Sequence, residues 1–217
     1  MMFYPVYLNL KGKRAVVIGG GEVAERKAGS LRDTGATIVV ISPDVTPHLA
    51  SLARENRIEL HQRPYAPGDC AGAALVLSAT NDPAVSRAVW QEASAAGILV
   101  NTADEPALCD FIMPAVIRRG DLTIAISTGG ASPALAARLR ERFSRILGPE
   151  YGQLLRMLAE ARPEIRRRVR GEEDRRALHY RILDSDIITS LRHNDSASAE
   201  QRLREIIDDF ACRREAS

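Results

Sequence analysis

The stretch Arg14-Ala-Val-Val-Ile-Gly-Gly-Gly-Glu-Val-Ala-Glu-Arg-Lys27 decides the fold of this chain. Its apolar residues 15–18 predict a short buried strand that runs directly into three glycines, and a helical pattern follows. Gly19, Gly21 and Ala24 have the G-x-G-x-x-A spacing of a dinucleotide-binding turn. The combination of strand, glycines and helix therefore predicts nucleotide binding, with a bare glycine turn in an unrelated α/β fold as the alternative.

Each position of this motif has its own physical reason. Gly19 allows a tight turn out of the strand, and Gly21 lets a pyrophosphate approach the backbone without a Cβ in the way. Ala24 lets the helix, predicted from Glu22 to Asp33, lie close to the sheet. The start of that helix offers free N–H groups and a partial positive charge to phosphates.

Strands and helices alternate through the first half of the chain. Further strands are predicted at 37–42, 57–62, 75–79 and 98–101, and helices at 47–56 and 83–96. Apolar runs of this length separated by helices are typical of a parallel sheet covered on both faces. The fold class is therefore α/β, with a Rossmann-type domain over residues 1–113.

The cofactor-binding residues are predicted at the carboxyl ends of these strands, where ligands of open α/β sheets bind. Asp44 lies slightly beyond the usual position of the acidic residue that binds a ribose hydroxyl, and no arginine follows to hold a 2′-phosphate. NAD is therefore favoured over NADP. The full predicted set is Gly19, Gly21, Glu22, Val23, Pro43, Asp44 and Thr80. Glu22 is expected to contribute its backbone N–H alone.

The composition excludes several classes. The 217 residues contain three widely spaced cysteines and four histidines without helical pairing, so neither a disulfide framework nor a metal site is predicted. No apolar run reaches membrane-spanning length and no signal peptide is recognisable, so we expect a cytoplasmic protein without membrane contact. Seven arginines lie between Arg162 and Arg176. They indicate a solvated helix face or an anion contact, and the absence of interleaved aromatic residues disfavours nucleic acid.

The pattern changes after the fifth predicted strand. Asn101-Thr-Ala-Asp104 forms a turn at the ligand edge, an apolar strand follows at 122–127, and a helix runs to Leu147 after Ser127-Thr-Gly-Gly-Ala-Ser-Pro133. The two glycines before this helix are equally compatible with an anion cradle and with a plain turn. From Gly148 the chain is predicted to be helical, with a loop at 191–198.

These motifs together resemble a known family. Its signatures are found here as Tyr4-Pro-Val-Tyr-Leu-Asn-Leu10, Val17-Ile-Gly-Gly-Gly-Glu-Val-Ala-Glu-Arg-Lys-Ala28, Asn101-x-x-Asp104, Phe111-Ile-Met-Pro114 and Ser127-Thr-Gly-Gly-x-Ser-Pro133, in the family's order and spacing. They are similar to those of precorrin-2 dehydrogenase, also called the siroheme synthase N-terminal module. The resemblance covers essentially residues 1–147, and the helical tail more loosely.

The resemblance implies NAD-dependent oxidation of precorrin-2 to sirohydrochlorin, and in several family members also insertion of ferrous iron as a second substrate. It further implies a homodimer. The expected division of the chain is a NAD-binding domain at 1–113, a dimerisation segment at 114–147 and a helical domain at 148–217.

The resemblance also implies site residues. Asp104 matches the family's catalytic aspartate, which would accept the proton released on dehydrogenation. Asp110 is a secondary candidate, and Thr128 stands where some members have a serine. Because precorrin-2 carries many carboxylates, its pocket needs donors and positive charge. The predicted substrate-binding residues are Asn101, Arg118, Ser127, Thr128, Gly129 and Ser132, with Arg119 and Arg138 as further suppliers of charge.

Three other functions are possible for such a sequence. A non-catalytic NAD-sensing module would explain the first hundred residues but not the block from Phe111 to Pro133. A short-chain reductase needs Tyr-x-x-x-Lys after the glycine turn, and the single match, Tyr7 to Lys11, precedes it. Iron chelation alone is disfavoured by the intact glycine turn.

Overall fold

The structure, a computed structural model, describes residues 3–215, with side chains described as far as Cys212. It divides the chain into two compact units, Met1–Met113 and Pro114–Ser217. The assignment of residues 1–113 as a NAD-binding domain stays a prediction. The further division of the second unit at residue 148 stays a prediction.

The first unit contains a five-stranded parallel sheet of order β3-β2-β1-β4-β5. Its helices lie between successive strands in the chain, which confirms the predicted Rossmann-type α/β fold. The elements are β1 Arg14–Ile18, α1 Glu22–Leu31, β2 Thr37–Ile41, α2 Pro47–Arg54, β3 Glu59–His61, β4 Ala73–Ser78, α3 Pro83–Ala95 and β5 Leu99–Thr102.

The central strands bury both of their faces, as expected for a parallel sheet. Val17, Val40 and Leu77 belong to the core on the side of α1 and α2. Val16 and Val39 belong to the core on the side of α3. Alternate residues of each strand therefore serve opposite cores, and the apolar runs lack polar interruptions for this reason.

The second unit begins with an antiparallel hairpin and continues with five helices. The elements are β6 Ala115–Arg119, β7 Leu122–Ile126, α4 Pro133–Ile146, α5 Glu150–Arg168, α6 Glu172–Leu183, α7 Ile187–Arg192 and α8 Ser196–Glu215. Buried side chains from α5 to α8, among them Leu178 and Ile182, form a hydrophobic core of their own.

Several predicted elements have other bounds in the structure; α2, for example, ends at Arg54 and not at residue 56. Strand β6 was missed, although the two-residue Gly120-Asp121 turn between apolar runs is a hairpin signal. The loop predicted at 191–198 is present but shorter, at residues 193–195, because α7 continues to Arg192 and α8 begins at Ser196. Helix α1 ends at Leu31, since a 3-10 turn follows at Arg32–Thr34.

Candidate active site

The three consecutive glycines after β1 have different surroundings. A Cβ at Gly19 would lie 2.3 Å from the carbonyl oxygen of Ala79, and the φ angle of Gly19 is +115°. A Cβ at Gly20 would lie 2.0 Å from the carbonyl oxygen of Asp44. At Gly21 no atom of the described residues beyond its chain neighbours and its own helix backbone lies within 4 Å of the same point, and φ is −78°. The fold itself therefore requires glycine at the first two positions and leaves open space beside the third.

The N-terminus of α1 leaves its backbone donors available. Gly21 is the N-cap residue, and no side chain caps the helix. The first intrahelical bond runs from the Glu25 N–H to the Gly21 oxygen. The N–H groups of Glu22, Val23 and Ala24 therefore precede the hydrogen-bonded part of the helix. Together with the open space at Gly21, they fit the phosphates of a dinucleotide, which need donors and close backbone approach.

A cleft of about 750 Å³ opens beside this turn. Its walls come from the ends of β1, β2 and β4, and all seven residues predicted to bind the cofactor line it. The lining residues are Gly19–Val23, Ser42–Asp44 and Ala79–Pro83. Asp44 is exposed at the end of β2, and Thr80 accepts a hydrogen bond from the Asp82 N–H at 3.2 Å. The Thr80 O–H is thus still able to donate to a ligand.

Asp104 lies just beyond β5, at the same edge of the sheet. The preceding residue, Ala103, donates its N–H to the Ser78 oxygen at the end of β4 over 2.9 Å, which ties the turn to a strand that borders the cleft. Asp104 is exposed and has a left-handed backbone with φ of +60°. Asp and Asn tolerate this conformation better than other residues with a side chain. A carboxylate is therefore presented to solvent where strands β4 and β5 end.

The segment that follows Asp104 folds back against β5. We call residues 103–111 the Asp104 loop. Its returning end pairs with the strand, because the Asp110 N–H donates to the Val100 oxygen at 2.8 Å and the Asp110 Oδ2 accepts from the Val100 N–H at 2.9 Å. Cys109 forms an isolated bridge with Asn101, and its Sγ accepts from the Thr102 N–H at 3.2 Å. Asp110, the secondary catalytic candidate, thus has its carboxylate engaged with the backbone.

Asn101 has a different setting from the one predicted for a substrate contact. The residue is buried, its Oδ1 accepts from the Lys27 Nζ at 2.5 Å, and its Nδ2 donates to the Phe111 oxygen at 2.8 Å. Both polar atoms are therefore bonded within the unit. Lys27 was not predicted as a site residue. The sequence does contain a signal for Lys27: its spacing places it on the same face of α1 as Ala24, Ala28 and Leu31, which is the buried face.

The remaining predicted substrate residues lie in the second unit. Arg118 is exposed on β6, and the structure gives its guanidinium no ion pair with any described residue. Arg119 was offered as a further supplier of charge, but its guanidinium donates to the Leu147 and Ser144 oxygens at 2.8 and 3.1 Å. These bonds satisfy carbonyls at the end of α4, so Arg119 caps a helix.

The Ser127–Ser132 turn bonds mainly to itself. The Ser127 Oγ accepts from the Gly129 N–H at 3.0 Å, and the Thr128 Oγ1 accepts from the Ser132 N–H at 3.1 Å. The Ser132 Oγ accepts from the Leu135 N–H at 3.2 Å and caps α4, as predicted. Each hydroxyl still has its O–H available to donate. The turn is therefore a capped strand-to-helix connection with outward donors remaining.

The arginine-rich segment divides into paired and unpaired side chains. Arg168 contacts Glu164 and Asp208, and the Arg175 guanidinium donates to the Val169 and Arg170 oxygens. A cleft of about 570 Å³ is lined by side chains of α5 and α6. They include Arg162 and Arg166, for which no ion pair is found among the described residues, and Arg176, whose guanidinium lies 5.6 Å from the centre of the Tyr180 ring. The arginines that bond to neighbouring residues thus form a solvated helix face. For the arginines that line the cleft, an anion contact stays a prediction.

Comparison with known proteins identifies the family. Residues 6–115 match a family model described as putative NAD(P)-binding. Residues 119–145 match a model described as sirohaem biosynthesis protein central, and residues 150–207 match one described as sirohaem synthase dimerisation region. The chain belongs to this family of NAD(P)-binding sirohaem synthase modules. The predicted dimerisation segment, 114–147, precedes the stretch that carries this description in the family model.

Individual relatives agree with the family. The chain is 35% identical over 208 residues to the siroheme synthase of Nitrosococcus oceani, which covers 96% of this chain and 44% of that protein. It is 38% identical to siroheme synthase 3 of Aeromonas hydrophila over 93% of this chain and 43% of that protein. The chain thus spans less than half the length of these relatives. A solved structure of SirC, a precorrin-2 dehydrogenase, matches with a TM-score of 0.75 and 29% identity over 94% of this chain and 100% of that one.

The described residues contain neither a membrane-spanning helix nor a metal-binding cluster. No helix among residues 3–215 is long and apolar enough to span a membrane. Among the same residues, no group of three or more His, Cys, Asp or Glu side chains is arranged to hold a metal ion.

Proposed function

We propose that this chain oxidises precorrin-2 to sirohydrochlorin with NAD as hydride acceptor. The observation that carries the proposal is the open space beside Gly21 at an uncapped helix N-terminus, with Asp104 exposed at the same edge of the sheet. The match to SirC over the whole of that chain supports the choice of substrate. A module that only senses NAD would need the open helix N-terminus at Gly21 but not the exposed carboxylate of Asp104.

NAD, when bound, supplies a nicotinamide ring that accepts two electrons and one proton as hydride. Gly19 and Gly20 shape the turn, and the N–H groups of Glu22 and Val23 bind the pyrophosphate. Asp44, exposed at the end of β2, accepts hydrogen bonds from a ribose and repels a 2′-phosphate, so NAD is preferred over NADP. A comparison of dissociation constants for the two dinucleotides tests this preference.

Asp104 acts as the general base in this proposal. Dehydrogenation breaks a C–H bond of the substrate to release the hydride, and the second hydrogen leaves as a proton that a carboxylate can accept. The exposed carboxylate of Asp104 is free to reach a macrocycle that rests against the sheet edge. The same carboxylate could take the two pyrrole protons displaced when ferrous iron enters the product, so we also propose iron insertion as a second activity.

The second unit, taken by itself, offers donors that suit the carboxylates of a substrate. Arg118 supplies a guanidinium without an ion pair to any described residue, and Ser127, Thr128 and Ser132 each keep an O–H to donate. Gly129 offers close approach, since its φ of +62° is a conformation that favours glycine.

The Asp104→Asn variant tests the reaction and the base together. Asn also tolerates the left-handed backbone at this position, so the loop should keep its shape while the base is lost. We expect kcat to fall by a factor of at least about 100, the low end of general-base effects, with unchanged NAD affinity. The assay is anaerobic incubation with precorrin-2 and NAD, followed at the NADH and sirohydrochlorin absorbances, with ferrous iron added in a second step.

The outcomes of this assay separate the alternatives. NAD binding without turnover by the unaltered protein would contradict the dehydrogenase and favour the sensing module. Turnover that Asp104→Asn leaves unchanged would contradict the base. Siroheme formation no faster than in a protein-free control would contradict iron insertion and leave the dehydrogenase standing.

We further propose that the chain is a homodimer with α4 at the interface. Leu135, Phe143 and Ile146 are 49%, 39% and 53% exposed, and their spacing places them on one side of the helix. An exposed apolar stripe of this kind is characteristic of an interface. The name of the family model that matches residues 150–207 supports dimerisation but assigns it to the later helices.

A pair of charge substitutions distinguishes the two segments. If α4 forms the interface, Ile146→Asp should convert the dimer to a monomer in light scattering, because a carboxylate would be buried without a partner. Leu183→Asp, at a residue that is 52% exposed on α6, should leave the dimer intact. The reverse result would place the interface in the later helices, and a monomeric unaltered protein would contradict the dimer.

A further inference from the structure

Lys27 is an unusual residue for the buried face of α1. It is 9% exposed and shares that face with Ala24, Ala28 and Leu31. Burial lowers the pKa of its ammonium group, because the charged form loses solvation. Burying a lysine costs free energy unless its ammonium group is hydrogen bonded, so the hydrogen-bond partner indicates the role of the residue. Among the described residues, the partner found for Nζ is the Asn101 Oδ1 at 2.5 Å.

This contact determines how the Asn101 amide is oriented. Lysine only donates hydrogen bonds, so the amide oxygen must face Nζ and the amide nitrogen must face the other way. There the Nδ2 donates to the Phe111 oxygen at 2.8 Å. Lys27 on α1 is therefore joined through one amide side chain to the residue at which the Asp104 loop returns to β5.

The loop between these points is tied to the sheet at its two ends. Its outgoing end bonds through the Ala103 N–H, and its returning end through Asp110 and through Cys109 beside Asn101. Asp104 itself is exposed in a left-handed conformation, which costs on the order of 1 kcal/mol and persists only where the surroundings hold it. The Asn101 amide is the side-chain contact that bridges the loop to a helix.

We infer that Lys27 is a positioning residue for the proposed dehydrogenation, acting through Asn101 to hold the Asp104 loop in the conformation that presents Asp104. This inference rests on the proposed function. It also gives Asn101 a supporting role in place of a direct contact with substrate, since both of its polar atoms are engaged inside the first unit.

A double-mutant cycle tests the inference. Lys27→Met and Asn101→Leu should each lower kcat about 100-fold, the usual consequence of a small misplacement of a reacting group, while the NAD dissociation constant changes less than about two-fold. Because the two residues act in one chain of contacts, the double variant should be no slower than either single variant. Arg26→Met, an exposed neighbour on the same helix, is the control and should behave as the unaltered protein.

Two measurements make the test specific to positioning. Lys27→Gln retains an N–H donor without the charge, so it should recover about ten-fold in kcat over Lys27→Met. Hydrogen exchange at the Leu108 and Asp110 amides should become about ten-fold faster in Lys27→Met and in Asn101→Leu, and remain unchanged in Arg26→Met. If Lys27→Met does not fold, the Asn101→Leu and Lys27→Gln variants carry the test through the same two measurements.

Several results would overturn the inference. Effects on kcat that multiply to about 10,000-fold in the double variant would show that Lys27 acts directly on the reactants. A rise in KM with unchanged kcat would mean that it binds substrate. Unchanged exchange in the Asp104 loop would also contradict it. If the unaltered protein shows no turnover, the proposed function fails, and the exchange experiment still decides whether Lys27 holds the loop.

Discussion

Two turns of this protein share the order strand, glycines, helix, yet they treat the helix N-terminus differently. After β1, no side chain caps α1, and nothing lies within 4 Å of the point where a Cβ of Gly21 would stand. After β7, the hydroxyls of Ser127, Thr128 and Ser132 accept backbone N–H groups of the turn and of α4. The first turn leaves its donors for a ligand, and the second uses its own side chains to satisfy them.

Glycines before a helix therefore do not by themselves indicate an anion site. A backbone N–H that donates to no internal acceptor is available to a phosphate, whereas one that already donates to a hydroxyl oxygen is not. In the second turn it is the hydroxyl protons that remain available. The two turns are therefore suited to different groups: phosphates at the first, and carboxylates that accept O–H bonds at the second.

The largest effect is expected from Gly19→Ala. The new Cβ would lie 2.3 Å from the Ala79 oxygen at a φ of +115°, so steric overlap and backbone strain add. We expect a loss of about 4 kcal/mol in the free energy of unfolding, measured by urea denaturation. The control is Gly29→Ala in α1, where nothing lies within 4 Å and helix propensity should raise stability by about 1 kcal/mol. A Gly19→Ala variant as stable as the unaltered protein would contradict this account of the turn.

A smaller effect, on NAD affinity and not on stability, is expected from Gly21→Ala. No described atom opposes the new Cβ, so the free energy of unfolding should change by less than about 1 kcal/mol. NAD affinity should fall about 100-fold, equivalent to about 2.7 kcal/mol, because the methyl group occupies the space proposed for the pyrophosphate. Calorimetric titration measures this loss, and Gly29→Ala should bind normally. Unchanged affinity would place the pyrophosphate elsewhere.

The smallest effect is expected from Ser132→Ala in the second turn. Loss of the bond from the Leu135 N–H should lower the free energy of unfolding by about 1 kcal/mol and leave NAD affinity unchanged. Ser132→Asn can cap the helix and should retain the stability. If the alanine variant is fully stable but raises KM for precorrin-2, then capping is not what this hydroxyl contributes, and its proposed role in substrate binding would stand alone.

Much of the first unit could be predicted because its signals are local. The buried strands are apolar runs, and the cofactor turn is defined by glycines a few residues apart, so the seven predicted residues all line one cleft. Strand β6 was missed because it is defined mainly by its antiparallel pairing with β7, which the sequence around β6 does not show. The start of α8 was predicted too late, although Asp195 accepts from the Ser198 N–H like an N-cap residue.

The α/β fold, the position of the glycine turn and the family could be read from the sequence alone, because hydrophobic period and glycine spacing are properties of neighbouring residues. What only the tertiary structure decided is how polar side chains are used. Lys27 and Asn101 are 74 positions apart, and their hydrogen bond exists because α1 and β5 are brought together by the sheet. Arg119 likewise became a helix cap through a distant carbonyl. A polar side chain takes its partner from the fold, and so its role follows from contacts that sequence spacing does not contain.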